Sequence, residues 1–436
     1  MSVVSERRIG SVRTNRVRDL LFVTLTLVLH GTAFQLWQFG VERVFDVGGV
    51  GAMAAGALFP IAVLPMYTRL ALGVGPMMVQ AVALSAIVHP IPSVLPVFGL
   101  QALAASLVGG LRVTHPIKRG SVVQAGALAG VAGAAVFVAS TVSSLPPTIV
   151  VAGAVGELLG GVLSGALVLA LSPMVERIFG HVTPLTLLEA LSNDHPLLRR
   201  LLTEAPGTFL HSTNVAVMSD VAARAIGADP LTTRVGALYH DVGKVRSPLN
   251  FVENQTDGGL RDTLRADERR RALLAHVTEG ARLVLAHGLG RRIEEFVREH
   301  HGTSEMRSVM DQAAREGSTD IADYRYPGPR PRSRETGVVM IADRLEATAR
   351  GRRPATPSAC LSLAEEVVDQ LHGQGQLVHS ALSDDDLTRI ERALADVLYA
   401  IHHHRIGYSE PEPTPPRMRV GVLTSVPAKH HRPVNQ

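Results

Sequence analysis

The residues best equipped for chemistry in this chain are histidines and aspartates. The stretch Tyr239-His240-Asp241-Val242-Gly243-Lys244 reads as the end of an apolar helix, carried by Val235, Leu238 and Tyr239, running into a turn at Gly243. An adjacent His and Asp can hold one metal ion together, and the carboxylate keeps a second oxygen free to bridge to another. Alone the dipeptide says little, because 436 residues with 18 histidines contain about one such pair by chance. Its company says more. His211 precedes it, and His276, His300, His301 and Asp343 follow. These donors are imidazoles and carboxylates without a thiolate, which argues against a structural zinc finger and suits Mn, Fe or similar ions. They outnumber what one ion with open water positions would use, so two divalent ions bridged by Asp241 account for them better. Such a pair, about 3.5–4 Å apart, can bind a phosphate and stabilise the oxygen that leaves it, which points to phosphoester hydrolysis. Lys244, four positions after His240, can set a cation against phosphate oxygens.

Each candidate has a plainer alternative. Asp343 interrupts the apolar run Val339-Met340-Ile341-Ala342, where an unpaired carboxylate is costly, so a ligand role is favoured. His276, within Leu273-Leu274-Ala275, could be a core histidine with its hydrogen bonds met. His300-His301 ahead of Gly302-Thr303 sits at a helix end, where surface histidines are common. His402-His403-His404 occupy consecutive helix positions that face different ways, and are set aside.

Helices must position these side chains. From Pro206 to about Gly407 the apolar spacing is helical, as in Val215, Met218, Ala222 and Ala225, with breaks at Gly227–Pro230 and Gly288–Gly290. No stretch alternates in the manner of a strand, so this half is all-α. Arg246–Asp267 has no clear period and contains Pro248, Gly258 and Gly259, a long loop placed where a substrate-contacting lid would sit. Tyr324–Arg334, rich in Pro and Arg, is a second such loop. Upstream, Ser172-Pro173 is expected to end an apolar segment and Met174–Phe179 to start a surface helix. Thr183-Pro184 opens a short amphipathic helix, and Asn193–Pro196 forms a turn before another over Leu197–Leu202. The residues after Glu410 are Pro-rich and expected to be disordered.

The first part of the chain is of another kind. Residues 20 to 172 are almost all Ala, Val, Leu, Gly and Pro. Six candidate membrane spans follow one another: Leu20–Trp37, Gly48–Tyr67, Leu70–Val88, Pro92–Leu111, Ser121–Thr141 and Thr148–Leu171. Each has close to the roughly 20 residues that cross a hydrocarbon core. The second and third are separated only by Thr68 and Arg69. The first has a basic flank but no small-residue cleavage site, so it reads as an uncleaved helix rather than a signal peptide. Arg69, Arg112, Lys118 and Arg119 fall on the same side as the N-terminal arginines, while the opposite loops offer Arg43. That predicts cytoplasmic N- and C-termini. Glu157 is the one acidic residue inside a predicted span, a ligand or signalling candidate that could instead pack neutral against a neighbouring helix. Glycines four apart, Gly126–Gly130 and Gly156–Gly160, suit close helix packing. The net charge of +4 is modest and follows membrane ends, so nucleic-acid binding is not read from it. The single cysteine, Cys360, excludes an intramolecular disulfide framework and fits a reducing compartment.

From about Pro173 to Tyr408 the chain resembles the bacterial membrane-bound, seven-transmembrane HD-domain phosphohydrolases, whose known activity is hydrolysis of cyclic di-AMP. The resemblance rests on Pro173–Phe179, Pro196–Leu201, Glu204-Ala205-Pro206-Gly207-Thr208, Gly236–Lys244 and Glu253-Asn254-Gln255. It continues through His300-His301-Gly302-Thr303, Arg325-Tyr326-Pro327-Gly328-Pro329 and Ile341-Ala342-Asp343. It implies His211, His240, Asp241 and Asp343 around one ion, and Asp241, His276, His300 and His301 around the other. Lys244, Thr303, Arg325 and Tyr326 are the expected substrate contacts, with Asp241 and Lys244 at the reaction itself. The chain departs from the family where Leu210-His211-Ser212 replaces a paired histidine before the serine. Only about ten residues, Gln38–Val47, stand where the family carries a large extracellular domain, and its spans are fewer. Related HD domains that cut cyclic di-GMP follow the His-His pair with other residues than Gly302-Thr303-Ser304, so the adenine dinucleotide is preferred.

The expectation is therefore an all-α protein: a polytopic helical membrane domain followed by a cytoplasmic all-α HD domain. Its divisions are a basic N-terminus (1–19), a transmembrane domain (20–172), connector helices (173–205), the HD domain (206–409) and a tail (410–436). It would hydrolyse cyclic di-AMP to pApA with two divalent ions, Mn or Fe, at the inner membrane. Cyclic di-GMP or another nucleotide, or a sensor that binds without cutting, are the alternatives. Its partners are the dinucleotide and the lipid bilayer, with homodimerisation left open.

Overall fold

The computed structural model describes residues 16–45, 50–88, 97–113, 119–255, 264–317 and 324–402. Among them every regular element is helical, and the only β pairing is an isolated bridge between Glu305 and Arg325. The predicted tail, part of the first loop and most of the basic N-terminus lie outside the described residues.

The apolar half comprises α1 (Arg16–Val44), α2 (Val50–Ala57), α3 (Val63–Leu72), α4 (Val74–Val88), α5 (Val97–Arg112), α6 (Arg119–Thr141) and α7 (Pro147–Phe179). Three of these, α1, α6 and α7, are long and apolar enough to cross a membrane by length and composition. The six predicted spans map onto this set with three changes. The second is broken over Leu58–Ala62, because Pro60 has no N–H to donate and its ring disfavours helical geometry before it. The boundary before the fourth helix is Gly73, at φ 95°, while Thr68 and Arg69 lie inside α3. The last span does not end at Ser172-Pro173. It runs through Pro173 to Phe179 and stops at Gly180, whose left-handed backbone (φ 63°) ends a helix more effectively than a proline interrupts one. The glycine spacing is used as expected. A Cβ on Gly126 or Gly130 of α6 would strike backbone of α7, and one on Gly156 or Gly160 of α7 would strike carbonyls of α2 and the turn that follows it.

Beyond Gly180 come α8 (Pro184–Ala190), α9 (Pro196–Glu204), α10 (Pro206–Ile226) and α11 (Pro230–Tyr239). Thr183 caps α8 through Leu185 N–H, and Asp229 caps α11 through the N–H groups of Leu231 and Thr232. Three short 3₁₀ turns, Val242–Arg246, Pro248–Asn250 and Val252–Asn254, replace part of the predicted loop. Then follow α12 (Ala266–Ala286), α13 (Gly290–Glu299), α14 (Arg307–Arg315), α15 (Arg334–Arg352), α16 (Pro357–Gly373) and α17 (Asp384–His402). One core joins them, in which Leu198, Leu201, Met218, Val235, Tyr239, Phe296, Ile341, Leu345 and Leu394 are buried. Cys360 belongs to that core and is a free thiol.

The apolar half and the helical core meet at a small polar joint. Glu176 at the end of α7 accepts hydrogen bonds from the hydroxyls of Thr183 and Thr186. His181 pairs with Asp19 of α1 at 3.3 Å, and Arg119 of α6 pairs with Glu189 of α8 at 2.6 Å. From α8 the link continues inward: the buried Tyr239 hydroxyl donates to Ala190 O at 2.8 Å. Tyr239 is the residue before His240.

Candidate metal centre

The sequence-predicted ligands arrive from five places. His211 lies in the second turn of α10, His240 and Asp241 follow α11, and His276 lies on α12. His300 and His301 follow α13, and Asp343 lies on α15. The close approach that brings them together depends on small residues. A Cβ on Gly243 would collide with the carbonyl of His276, and one on Gly236 with the ring of Phe296, so Gly at these two positions lets α11 and its turn lie flat against α12 and α13.

Asp241 is the centre of the arrangement. Its Oδ1 faces His276 Nε2 at 3.4 Å and His300 Nε2 at 3.6 Å. Its Oδ2 faces His240 Nε2 at 3.3 Å, His211 Nε2 at 3.7 Å and Lys244 Nζ at 2.6 Å. Asp343 Oδ1 completes the second side, 3.0 Å from His211 Nε2 and 3.7 Å from His240 Nε2. Two groups of donor atoms with Asp241 in common therefore lie within 4.8 Å: Asp241, His276, His300 and His301, and Asp241, His211 and His240.

The ring orientations are fixed from behind. His240 Nδ1–H donates to Ala237 O (2.6 Å) and His300 Nδ1–H to Val297 O (2.9 Å), so both Nε2 atoms point inward. His211 Nδ1 is held by Glu346 Oε2 at 2.5 Å, and Glu346 is steadied by Arg350 at 3.1 Å. His301 stacks on Tyr326, with ring centres 4.1 Å apart.

The electrostatics describe a site that wants positive charge. Burial opposes charge on His240, but Asp241 and Asp343 outweigh it and push the imidazole up to about 10. Burial likewise works against the Asp241 carboxylate, yet Lys244 and then His240 hold it well below the usual range. Burial pushes His276 down to about 3 and His301 well below an ordinary histidine, so both rings stay neutral with lone pairs free. Meanwhile Asp241 Oδ1 and the Nε2 atoms of His240, His276 and His300 are all buried without a hydrogen-bond partner. Orphaned buried polar atoms of this kind, converging on one carboxylate, fit a bound metal ion.

The predicted substrate contacts fare differently. Lys244 is largely buried, bonded to Asp241 and to Glu253 Oε1 (2.7 Å) and lying over the Phe251 ring. Tyr326 walls the histidines. Thr303 sits close behind them and is engaged by Gln376 and by Arg330 Nε at 3.1 Å. Arg325 is exposed and paired with Glu305, turned away from the cluster. The structure adds Glu346 and Glu253, to which sequence reading gave no role. Glu346 stands one helical turn after Asp343, a spacing that could have found it. Glu253 and Asn254 clasp the start of α10 through Thr208, at 3.1 Å from Glu253 Oε1 and from Asn254 Oδ1. That contact joins two stretches quoted for the resemblance but far apart in sequence.

Two segments of the chain match known protein families. Residues 208–348 match the HD domain, and residues 1–183 match the family described as 7TM receptor with intracellular HD hydrolase. Over these two segments the chain is similar to the 7TM-linked HD proteins. The HD segment contains His211, His240, Asp241, His276, His300, His301 and Asp343. The cyclic-di-AMP phosphodiesterase PgpH of Bacillus subtilis is 34% identical over 252 residues, covering 57% of this chain and 35% of PgpH. The Listeria monocytogenes protein of the same name is 33% identical over 255 residues, covering 58% of this chain and 35% of its own length. The chain thus spans about a third of the length of the curated relatives it matches. The crystal structure of the Listeria PgpH HD domain aligns with TM-score 0.46 and 32% identity, covering 48% of this chain and 100% of that domain. A second crystal structure of that domain is in complex with cyclic di-AMP.

Proposed function

We propose that this chain is a metal-dependent phosphodiesterase that hydrolyses cyclic di-AMP to linear pApA at the cytoplasmic face of the inner membrane. One observation carries the reading: the two oxygens of the buried Asp241 face two separate sets of histidine nitrogens. His211, His240, Asp343 and Asp241 Oδ2 would hold one divalent ion, Mn or Fe, and Asp241 Oδ1, His276, His300 and His301 a second. When bound, such ions supply a nucleophilic water at neutral pH and neutralise charge on the phosphate oxygens.

The chain's own residues prepare that site. Ala237 O and Val297 O each accept an Nδ1 proton, which fixes the tautomers of His240 and His300. Glu346 does the same for His211 and keeps its Nε2 toward Asp343. Lys244 carries the positive charge that lets Asp241 stay ionised while fully buried. Tyr326, itself buried, stacks on His301 and closes that end of the cluster. The reaction consumes one water, breaks one P–O3′ bond and leaves a 5′ phosphate and a 3′ hydroxyl. The organisation proposed with it assigns 20–172 to the bilayer, 173–205 to the connection and 206–409 to catalysis, with both termini cytoplasmic.

The preference for adenine is supported by the named activity of the Bacillus and Listeria relatives. The test is turnover by the purified full chain in detergent, loaded with Mn²⁺ and given cyclic di-AMP or cyclic di-GMP separately. Selective formation of pApA, lost in Asp241→Ala, is the expected result. Equal cleavage of both removes the specificity, and no cleavage by a chain with bound metal removes the enzyme.

A further inference from the structure

The phosphodiesterase reading gives no role to a second cluster of polar atoms, inside the apolar half. Glu157 of α7 is 6% exposed and Gln101 of α5 is 1% exposed, and both line one small hollow with Phe34, Phe59, Ile61 and Phe98. The hollow measures about 10 Å³, room for a single water-sized sphere. Both polar atoms of the Gln101 amide lack a hydrogen-bond partner, although an unpaired buried amide is costly. Gly133 on α6 leaves the space that Glu157 Oε2 occupies.

The break between α2 and α3 borders the same hollow. Non-helical backbone within an apolar helical layer is tolerated where it lines a cavity, and here it does. Pro60 cannot donate to Gly56 O, which instead accepts from Gln38 Nε2 at 3.2 Å. Ile61 N–H turns back to Phe59 O, so among the described residues no backbone N–H is bonded to Ala57 O or Leu58 O. Those two carbonyls face Gly160, the residue one turn beyond Glu157 on α7: a Cβ there would lie 2.8 Å from Leu58 O and 3.1 Å from Ala57 O. The C-terminal end of α2, with its partial negative charge, is thus aimed at the surroundings of the carboxylate.

We propose that this hollow is a binding site for one dehydrated monovalent cation, of sodium's size, held by the Glu157 carboxylate, Gln101 Oε1 and the carbonyl of Ala57, all from residues that line it. The single carboxylate matches one positive charge, and the space excludes an ion that keeps its hydration shell. Unwound backbone carbonyls beside an intramembrane carboxylate are the donors that replace such a shell.

The chain contains its own reporter. Its single tryptophan, Trp37, donates its indole N–H to Ala55 O of α2 at 2.8 Å and lies beside Phe59. Purified full-length protein in detergent micelles is titrated with NaCl against choline chloride at constant ionic strength, and Trp37 emission is followed. A saturable, sodium-specific change is expected, with half-saturation raised at least tenfold in both Glu157→Gln and Gln101→Leu. Sodium-free spectra that superpose on the unsubstituted protein identify variants that have kept the fold. Emission indifferent to the replacement of choline by sodium, or an unaltered response in either folded variant, overturns the proposal and leaves the hollow to water. Neither readout depends on turnover, so failure here and failure of the phosphodiesterase reading are separate results.

Discussion

Glu346 and Lys244 show how much of the site's behaviour rests on residues that would not touch a metal. Glu346 fixes His211 by accepting its Nδ1 proton at 2.5 Å. Partners of this kind are worth about 10–100-fold in metal affinity. Glu346→Gln is therefore expected to weaken metal binding by that order, measured by competition with a chromophoric chelator, while the helical content is unchanged. Lys244 sits between two buried carboxylates, Asp241 and Glu253, at 2.6 and 2.7 Å. Lys244→Met leaves both uncompensated in the metal-free protein, a loss of about 3–5 kcal/mol. Bound cations relieve part of that repulsion at Asp241. The fall in melting temperature should accordingly be larger in chelator than in Mn²⁺, and an equal fall in both would show that Lys244 acts elsewhere.

Individual elements owe their placement to caps and glycines as much as to apolar spacing. The start of α17 is an instance. Asp386 accepts from Ser383 N–H at 3.1 Å and pairs with Arg334 of α15 at 2.6 Å, tying the final helix to the one that bears Asp343. Partial burial opposes the Asp386 charge, but the bonds from Ser383 and the neighbouring Arg334 prevail and hold its carboxyl below the usual range. A folded-state pKa below the unfolded value of about 3.9 gives stability that is present above that pH and lost as pH falls through the folded value. Asp386→Ala is expected to cost about 1 kcal/mol at pH 7, as loss of a cap does. The difference from the unsubstituted protein should shrink steadily in melts recorded below pH 4, and a pH-independent difference would assign the effect to packing.

At the scale of the whole molecule, the apolar half and the helical core are joined by short, specific contacts rather than by a loose linker. Glu176 binds two threonines of the α8 cap, α8 meets Tyr239 through Ala190 O, and Tyr239 adjoins His240. These contacts run from the end of α7 to the residue before His240. The membrane assignment has a direct measurement. Strong, detergent-dependent retention is expected of α1, α6 and α7, which expose large apolar side chains such as Leu21, Val131 and Leu159. The chain should stay with sedimented membranes through high salt and alkaline carbonate and be released by detergent. Release by carbonate alone would place it on the surface.

Much of this was legible in the sequence because the signals were local. Apolar spacing located α10 to α13 and their glycine breaks, and composition separated the two halves. The cost of burying Asp343 alone made it a ligand candidate before any partner was known. Motif order then supplied the grouping of the seven donors. Other features depend on contacts between distant segments, which no local pattern encodes. The inward aim of Lys244, the roles of Glu346 and Glu253, and the outward turn of Arg325 are of this kind. Pro60, Gly73 and Gly180 set the true helix limits, where hydropathy, averaging over side chains, was blind to backbone geometry. Which oxygen of Asp241 faces which histidine was decided by tertiary structure alone, because it follows from how closely α11, α12 and α13 can approach across glycine.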